Sequence, residues 1–366
     1  MEGSQKEIRL IVAGGGTGGH LFPAIAVVKE IERRFNQSKV LFIIGRAGRG
    51  QDILSRQGYQ VARVDVEGLK GRGWKIMASV LFRLPKSVMQ SIGHVRRFSP
   101  HVIFGVGGYS AGPVCLAGWL LGVPTAIHEQ NALPGLTNRM LARFVDRVFI
   151  SFDKTRDLLA GPEPIVTGTP IRPELLEART RGEEKDGRFT ILVMGGSQGA
   201  KAINQAFVEA LSELTSRGKD PRVIHQTGEL DYERTRADYE TRGLKGEVIP
   251  FIEDMADAYG RADLVVCRAG ASTLFELAAL GKPAILIPYP FAANQHQDVN
   301  AQALVETGGA DMLRQSELTG QRLAMLIEGA MEDRALLEKK GQAVMKLAKV
   351  DAAKVIVDRL MELISV

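Results

Sequence analysis

The feature that most constrains the fold is an alternation of strand and helix patterns that runs along the chain and occurs twice. Short apolar runs such as Ile8–Ala13 and Val102–Gly105 alternate with helical patterns until a break near residues 161–164. The alternation restarts at residues 189–194 and continues through Leu264–Cys267. Strands that alternate with helices predict parallel, doubly wound sheets.

The two halves of the chain also carry matching glycine turns. Residues 14–19 (GGGTGG) and 195–199 (GGSQG) each follow the first strand of their half, and LGVP at 121–124 is echoed by LGKP at 280–283. Turns between helix and strand favour glycine and proline in any case. Together the echoes predict an α/β protein with two Rossmann-like domains that face each other across a cleft. The expected segments are an N-terminal domain (1–164), a C-terminal domain (165–345) and a C-terminal helix (346–366) that could pack back on the N-terminal domain.

The composition narrows the class of protein. A chain of 366 residues is long enough for two domains with full cores. Cys115 and Cys267 lie far apart in apolar stretches, which favours reduced thiols in a cytosolic protein over a disulfide framework. No signal peptide is expected before the first strand. Residues 102–127 carry no charge, but their glycines and prolines favour buried strands and turns over a membrane-spanning helix.

The first glycine turn indicates a phosphate site. Gly14, Gly16 and Gly19 satisfy G-x-G-x-x-G between a strand and a helix, where free backbone N–H groups bind anions. A dinucleotide site expects an acid after the second strand, but Arg46 stands there, which leaves only an NADP site open. His20 stands where a Walker loop needs lysine. It is either an imidazole bonded to the start of the helix or a general base.

The second half offers polar groups at the corresponding places. Ser197 could donate its hydroxyl to a phosphate. Glu276 is either the partner of Thr273 in a capping box or a carboxylate that accepts both hydroxyls of a ribose. The run NQHQDVN at 294–300 suits sugar hydroxyls or a solvated loop, and HEQN at 128–131 lies in the same topological place of the first half. The six histidines are scattered, so no metal site is expected.

In their order and spacing, seven motifs resemble those of the bacterial peptidoglycan glycosyltransferases that make lipid II. The motifs are residues 14–20, 107–110, 128–131, 135–138, 168–172, 195–200 and 267–276. The resemblance implies a GT-B fold and a peripheral enzyme at the cytoplasmic face of the cell membrane. It implies that the N-terminal domain (1–164) faces acceptor and membrane and that the C-terminal domain (165–345) binds the UDP-sugar. It also implies metal-independent, inverting transfer of N-acetylglucosamine from UDP-N-acetylglucosamine to undecaprenyl-diphosphate-linked N-acetylmuramyl-pentapeptide, with no cofactor.

The resemblance also implies roles for individual residues. His20 is the expected general base, with Glu129 as the alternative, and Asn131 is expected to position sugar or acceptor. Arg172 and Ser197, with helix N-termini, could stabilise the departing diphosphate. The implied substrate contacts are Thr17, Gly18, Gly19, Asn131, Arg172, Ser197, Ile252, Ala271, Ser272, Thr273, Leu274, Phe275, Glu276 and Gln297, with Gln295 and His296 competing for the place of Gln297.

Three other functions remain open on the sequence. An epimerase would bind the same UDP-sugar without a lipid acceptor. A non-catalytic module that binds nucleotide-sugar or membrane would tolerate loss of His20. An NADP-dependent oxidoreductase accounts only for the first glycine turn.

The net charge of +5 is concentrated in one segment. Residues 68–97 contain seven basic residues and no acidic one, interleaved with apolar and aromatic residues. This pattern predicts docking on an anionic membrane surface, and a solvated helix packed by its apolar side is the alternative. Nothing accompanies the charge that would read nucleic acid. The expected docking residues are Lys70, Arg72, Trp74, Lys75, Leu81 and Phe82.

Overall fold

The computed structural model describes residues 7–15, 18–45, 50–66, 74–178, 187–196 and 198–364, with the side chains of 74–83 left out. The chain forms two compact units. The first runs to Arg172 and resumes at Lys349, and the second spans Pro173–Ala348. The boundary therefore lies at Arg172, where the sequence predicts 164.

The first unit is a seven-stranded parallel sheet with the strand order β3-β2-β1-β4-β5-β6-β7. Its strands are β1 (Ile8–Ala13), β2 (Ser38–Gly45), β3 (Gln60–Val64), β4 (Val102–Gly105), β5 (Thr125–Glu129), β6 (Arg147–Ile150) and β7 (Ile165–Val166). Its helices are α1 (Gly18–Arg34), α2 (Gly50–Arg56), α3 (Trp74–Phe98), α4 (Ala111–Leu120) and α5 (Leu136–Leu141).

The second unit is a six-stranded parallel sheet with the order β10-β9-β8-β11-β12-β13. Its strands are β8 (Thr190–Met194), β9 (Arg222–Gln226), β10 (Glu247–Ile249), β11 (Leu264–Cys267), β12 (Ala284–Leu286) and β13 (Ala310–Met312). Its helices are α6 (Pro173–Ala178), α7 (Lys201–Ser216), α8 (Tyr232–Thr241), α9 (Met255–Arg261), α10 (Ala271–Leu280), α11 (His296–Val305), α12 (Gly320–Glu332) and α13 (Arg334–Val344).

The last helix, α14 (Ala352–Ile364), belongs to the first unit. Ile356, Val357 and Leu360 pack into the core that covers one face of the first sheet. Arg34 at the end of α1 donates a hydrogen bond to Asp358. Apolar burial and an ion pair therefore hold the C-terminus of the chain on the N-terminal unit.

In each sheet the strand order reverses at a switch point. This point lies between β1 and β4 in the first sheet and between β8 and β11 in the second. Ligands of doubly wound sheets bind where the strand order reverses, at the carboxyl ends of the strands. The loops that carry the predicted site residues follow these four central strands and their neighbours.

No helix among the described residues is both long and apolar enough to cross a membrane.

Candidate functional site

At the switch point of the first sheet, two glycine turns pack backbone against backbone. A β-carbon on Gly14, whose φ is +122°, would lie 2.2 Å from the carbonyl oxygen of Gly107. A β-carbon on Gly107, whose φ is +89°, would lie 3.2 Å from Cε1 of His20. Because glycine has no side chain, the imidazole of His20 can lie against the turn after β4. His20 itself is in the first turn of α1, which begins at Gly18.

A glutamine fixes the tautomer of His20. Nε2 of Gln130 donates a hydrogen bond of 3.0 Å to the carbonyl of Val106, so Oε1 of the same amide turns toward His20. Oε1 lies 3.0 Å from Nδ1 of His20 and can only accept, so Nδ1 carries the proton. Nε2 of His20 is then the nitrogen with the lone pair, which is the atom that a general base uses.

The carboxylate of Glu129 anchors the loop that follows β5. Oε1 accepts from the backbone N–H of Asn131 at 2.9 Å and from its side-chain amide at 3.2 Å. Oε2 accepts from the N–H of Gly135 at 3.0 Å and from Nδ2 of Asn138 at 2.9 Å. Four hydrogen-bond donors occupy both oxygens of this buried carboxylate. This geometry favours an anchoring role for Glu129 over a proton-accepting one.

His128 is fully buried beside this loop. Burial lowers its pKa to about 4, against the opposing effect of the Gly168 carbonyl, which lies 2.9 Å from Nε2. The nearby His20 lowers the pKa of His128 further. Because Nε2 donates to the carbonyl of Gly168, Nδ1 holds the lone pair, and within the described part of the chain it has no hydrogen-bond partner. His128 is therefore a neutral side chain at physiological pH.

Arg172 is the last residue of the first unit, and its guanidinium stacks on an aromatic ring. Its central carbon lies 4.7 Å from the ring centroid of Phe22 in α1. A β-carbon on Gly18 would approach the same ring to 3.1 Å. The ring thus places the cation of Arg172 near the N-terminus of α1, where Gly18 and Gly19 begin the helix.

In the second unit, Gln226 at the end of β9 connects two loops. Its Nε2 donates to the carbonyl of Gly196 at 3.0 Å, and its Oε1 accepts from the N–H of Ile252 at 2.9 Å. Close packing holds the same turn, since a β-carbon on Gly199 would lie 1.9 Å from the carbonyl oxygen of Thr227. Gln226 is not among the residues predicted from the sequence, although its position at the end of a strand beside the glycine turn could have indicated it.

Glu276 does not form a capping box with Thr273. Helix α10 begins at Ala271 after Gly270, and no side chain caps it, so Thr273 is already inside the helix. Instead Oε2 of Glu276 accepts a hydrogen bond of 3.1 Å from the hydroxyl of Tyr259. The side chains of Leu274 and Phe275 are part of the core, so a ligand would meet only their backbone.

The loop after β12 is held by its own side chains. Oε1 of Gln297 accepts from the N–H of Tyr289 at 2.9 Å, and Nδ1 of His296 lies 2.8 Å from the carbonyl of Ala293. Asn294 and Gln295 both have a φ of +53°, an uncommon conformation for residues with side chains. Gln297 therefore differs from Gln295 and His296, the other two candidates for one sugar contact, because its side-chain carbonyl oxygen already accepts a hydrogen bond that closes the loop.

Arg268 joins the ends of three segments of the second sheet. Its Nη1 donates to the carbonyls of Ile287 and Pro288, both at 3.1 Å, and Nη2 donates to Oε1 of Gln315 at 2.7 Å. Burial lowers its pKa. Arg268 lies in the motif of residues 267–276, but no binding or catalytic role is predicted for it from the sequence.

Several predicted residues lie outside the described part of the chain. They are Thr17, Lys70, Arg72 and Ser197, together with the side chains of Trp74, Lys75, Leu81 and Phe82. Among the described residues, no group of three or more His, Cys, Asp and Glu side chains is placed to hold a metal ion.

Comparisons with known proteins agree over almost the whole chain. Residues 10–150 match the glycosyltransferase family 28 N-terminal domain, and residues 190–356 match the C-terminal domain of the same family. The chain is 44% identical over 357 residues to the UDP-N-acetylglucosamine--N-acetylmuramyl-(pentapeptide) pyrophosphoryl-undecaprenol N-acetylglucosamine transferase of Syntrophus aciditrophicus, covering 98% of this chain and 99% of the relative. The protein of the same name from Myxococcus xanthus is 44% identical, with 97% and 93% covered.

The chain also resembles solved structures along nearly its whole length. The crystal structure of Acinetobacter baumannii MurG superposes with a TM-score of 0.77 at 32% identity, covering 97% of this chain and 99% of that one. A UDP-GlcNAc 2-epimerase from Neisseria meningitidis superposes with a TM-score of 0.66 at 13% identity, covering 98% and 100%. The second likeness shows a shared fold only.

The neutral, buried His128 predicts a loss of stability in acid. Folded His128 takes up a proton only near pH 4, whereas the unfolded chain takes it up near pH 6.5. Between these values the unfolded state binds more protons, so the free energy of unfolding falls as the pH falls from 6.5 to 4, by up to about 3 kcal/mol for this group. His128→Gln keeps a donor for the carbonyl of Gly168 and removes the titration, so its thermal midpoint should depend less on pH.

Thermal unfolding midpoints measured from pH 7 to pH 4 test this expectation. His94→Gln, which removes a partly exposed histidine of α3, is the matched control and should keep the pH dependence of the original chain. Equal pH dependence in the original chain and in His128→Gln would contradict the prediction.

Proposed function

The chain belongs to glycosyltransferase family 28, and from this premise we propose that it transfers N-acetylglucosamine from UDP-N-acetylglucosamine to the C4 hydroxyl of undecaprenyl-diphosphate-linked N-acetylmuramyl-pentapeptide. Its two doubly wound parallel sheets form the GT-B fold predicted from the sequence. The observation that carries the proposal is 44% identity over 98% of the chain to a transferase of that name. The product is lipid II, a precursor of peptidoglycan.

The proposed chemical step is a direct displacement at the anomeric carbon of the donor sugar. The C4 hydroxyl of the acceptor attacks, its oxygen forms the new glycosidic bond, and its proton passes to Nε2 of His20. The bond between the anomeric carbon and the diphosphate breaks, and UDP leaves with the electron pair. Attack from the side opposite the leaving group inverts the anomeric configuration. The hydrogen bond that Nδ1 of His20 donates to Gln130 supports this role, because it leaves the lone pair on Nε2.

Stabilisation of the departing diphosphate is assigned to fixed positive groups. The Arg172 cation is held on the ring of Phe22, and the glycine turns lead into helices whose first N–H groups attract negative charge. Ser197 adds a hydroxyl donor. With these groups in place, the transfer proceeds without a divalent ion.

The remaining donor contacts follow the resemblance. Glu276 accepts the ribose hydroxyls. This role is supported by the observation that Glu276 takes no part in capping α10. Ile252 and Asn131 face nucleotide and sugar, respectively, with Glu129 holding the loop of Asn131 in place. The proposed contacts also include the backbone of Thr17, Gly18, Gly19, Ala271, Ser272, Thr273, Leu274 and Phe275, and the amide of Gln297.

Membrane docking is assigned to the first unit, at the cytoplasmic face. Besides the basic segment predicted from the sequence, Leu136, Met140 and Phe144 are exposed on and just after α5, at helical spacing. The exposed Arg139 and Arg143 lie on the same face. Apolar side chains beside cations suit an anionic lipid surface, where each cation contributes about 1 kcal/mol.

Release of UDP tests the reaction and separates it from its alternatives. Purified protein with UDP-N-acetylglucosamine should release UDP only when a polyprenyl-linked muramyl acceptor is present, because the acceptor hydroxyl is the nucleophile. A coupled assay for UDP measures this. Equal release without acceptor would favour an epimerase with a hydrolytic side reaction, and no release with acceptor would favour a non-catalytic module.

His20→Ala tests the general base. Because a positioned base contributes about 10²–10⁴ in rate, kcat should fall by about that factor while KM for the donor changes little. Steady-state kinetics in the same assay measure both constants, and His94→Ala, remote in sequence on α3, should retain both. Near-normal kcat in His20→Ala would show that another group takes the proton.

Met140→Glu combined with Phe144→Glu tests the docking surface. The double variant should bind liposomes containing phosphatidylglycerol at least about tenfold more weakly, because two apolar side chains no longer enter the lipid. Sedimentation with liposomes measures the binding, which should also weaken with salt. Leu230→Glu alters a side chain that is 94% exposed in the second unit and is the control. Equal weakening in the control would contradict the assignment.

A further inference from the structure

The hydroxyl of a buried tyrosine is aimed at the carboxylate assigned to the donor ribose. Tyr259 is 1% exposed and Glu276 is 8% exposed. The phenol donates a hydrogen bond of 3.1 Å to Oε2 of Glu276. The two residues are 17 positions apart on different helices, α9 and α10. This contact is therefore tertiary and does not belong to the capping of either helix.

The hydroxyl of Tyr259 can fix the orientation of the Glu276 carboxylate, which the glutamate side chain alone leaves variable. The last torsion of a glutamate is broad, so the plane of a carboxylate is set mainly by its hydrogen bonds. A carboxylate that accepts two vicinal hydroxyls must present both oxygens to them, so the orientation of its plane has to be fixed. A tyrosine suits this task because its rigid ring, once buried, places its hydroxyl at a fixed point.

The element that carries Tyr259 is itself anchored. The side chain of Asp254 accepts the N–H of Asp257 and so caps α9 at its start. Two residues before Asp254 stands Ile252, whose N–H is bonded to Gln226. Any tilt of α9 would therefore move both the Ile252 loop and the phenol that meets Glu276.

The thiol of Cys267, at the end of β11, lies close enough to Glu276 for the two groups to interact. Burial raises the pKa of Cys267 to about 12, and the Glu276 carboxylate contributes to the rise. The thiol therefore stays protonated and forms no anion beside the carboxylate that Tyr259 contacts.

We propose that Tyr259 is a positioning residue that orients Glu276 and thereby sets the preference for a nucleoside diphosphate with both ribose hydroxyls. The inference rests on the proposed function, specifically on the ribose role of Glu276. The ligand class is a uridine diphosphate with an intact ribose, as opposed to its 2′- or 3′-deoxy analogues.

Tyr259→Phe removes the hydroxyl and keeps the ring. UDP, 2′-deoxy-UDP and 3′-deoxy-UDP are compared as competitive inhibitors of the full-length protein. The original chain should prefer UDP, and Tyr259→Phe should lower the preference by about tenfold, in line with the loss of one hydrogen bond to a charged group. KM for the donor should rise while kcat at saturating donor stays within about twofold, because the phenol does not touch the reacting atoms.

Tyr239→Phe is the matched control. Tyr239 is also buried, at 3% exposed, in the same unit, but its hydroxyl pairs with Nδ1 of His225 at 3.1 Å and not with Glu276. Removing this hydroxyl should leave the preference for UDP unchanged. A purely structural role of Tyr259 would shift the inhibition constants of all three nucleotides together and keep their ratio, and that result would overturn the proposal.

Two further variants keep the test decisive. Glu276→Asp retracts the carboxylate from the phenol and should lower the UDP preference as Tyr259→Phe does, even if Tyr259→Phe does not fold. An unchanged preference in Glu276→Asp would overturn the positioning role. Glu276→Ala should abolish the preference altogether, and if it does not, the ribose role of Glu276 in the proposed function is wrong, which is a different failure from that of Tyr259 alone.

Discussion

In each sheet, the loops after two adjacent strands approach each other more closely than any β-carbon would allow, after β1 and β4 in the first sheet and after β8 and β9 in the second. Gly14 meets the carbonyl of Gly107 in the first unit, and Gly199 meets the carbonyl of Thr227 in the second. Both glycines also have positive φ, so a side chain there would be strained as well as crowded. These contacts bring the functional loops together at the carboxyl ends of the strands. The position of the His20 ring depends on the first of them, because the ring rests on Gly107.

The two units orient their functional groups by the same device. In each, the amide of a buried glutamine donates to a backbone carbonyl, to Val106 from Gln130 and to Gly196 from Gln226. That bond turns the amide oxygen toward a second group, which is Nδ1 of His20 in one unit and the N–H of Ile252 in the other. A glutamine can do this because its side chain carries a donor and an acceptor at a fixed distance.

The sequence predicted the central strands better than the edges. The predictions for β1, β4 and β11 match the observed ends of the strands, because continuous apolar runs signal burial on both faces. The edge strands β7, β10 and β13 have only two or three residues and were not predicted.

The same limit applies to the site. Local residue chemistry singled out His20 and Glu276, and the family resemblance added Glu129 and Arg172. Local spacing could not exclude a capping box at Glu276, because it is the start of α10 at Ala271 that excludes it. Tyr259 was invisible to sequence reasoning, because its contact with Glu276 depends on how two helices pack.

Three titratable side chains, His20, His128 and Glu129, lie at the carboxyl ends of the strands of the first sheet, and their surroundings give them different properties. Glu129 has both oxygens occupied by four donors of its own loop. His128 is held neutral by burial, with its pKa lowered to about 4, and the nearby His20 lowers that pKa further. Of these three groups, His20 alone is partly exposed, and its hydrogen bond to Gln130 leaves the lone pair on Nε2.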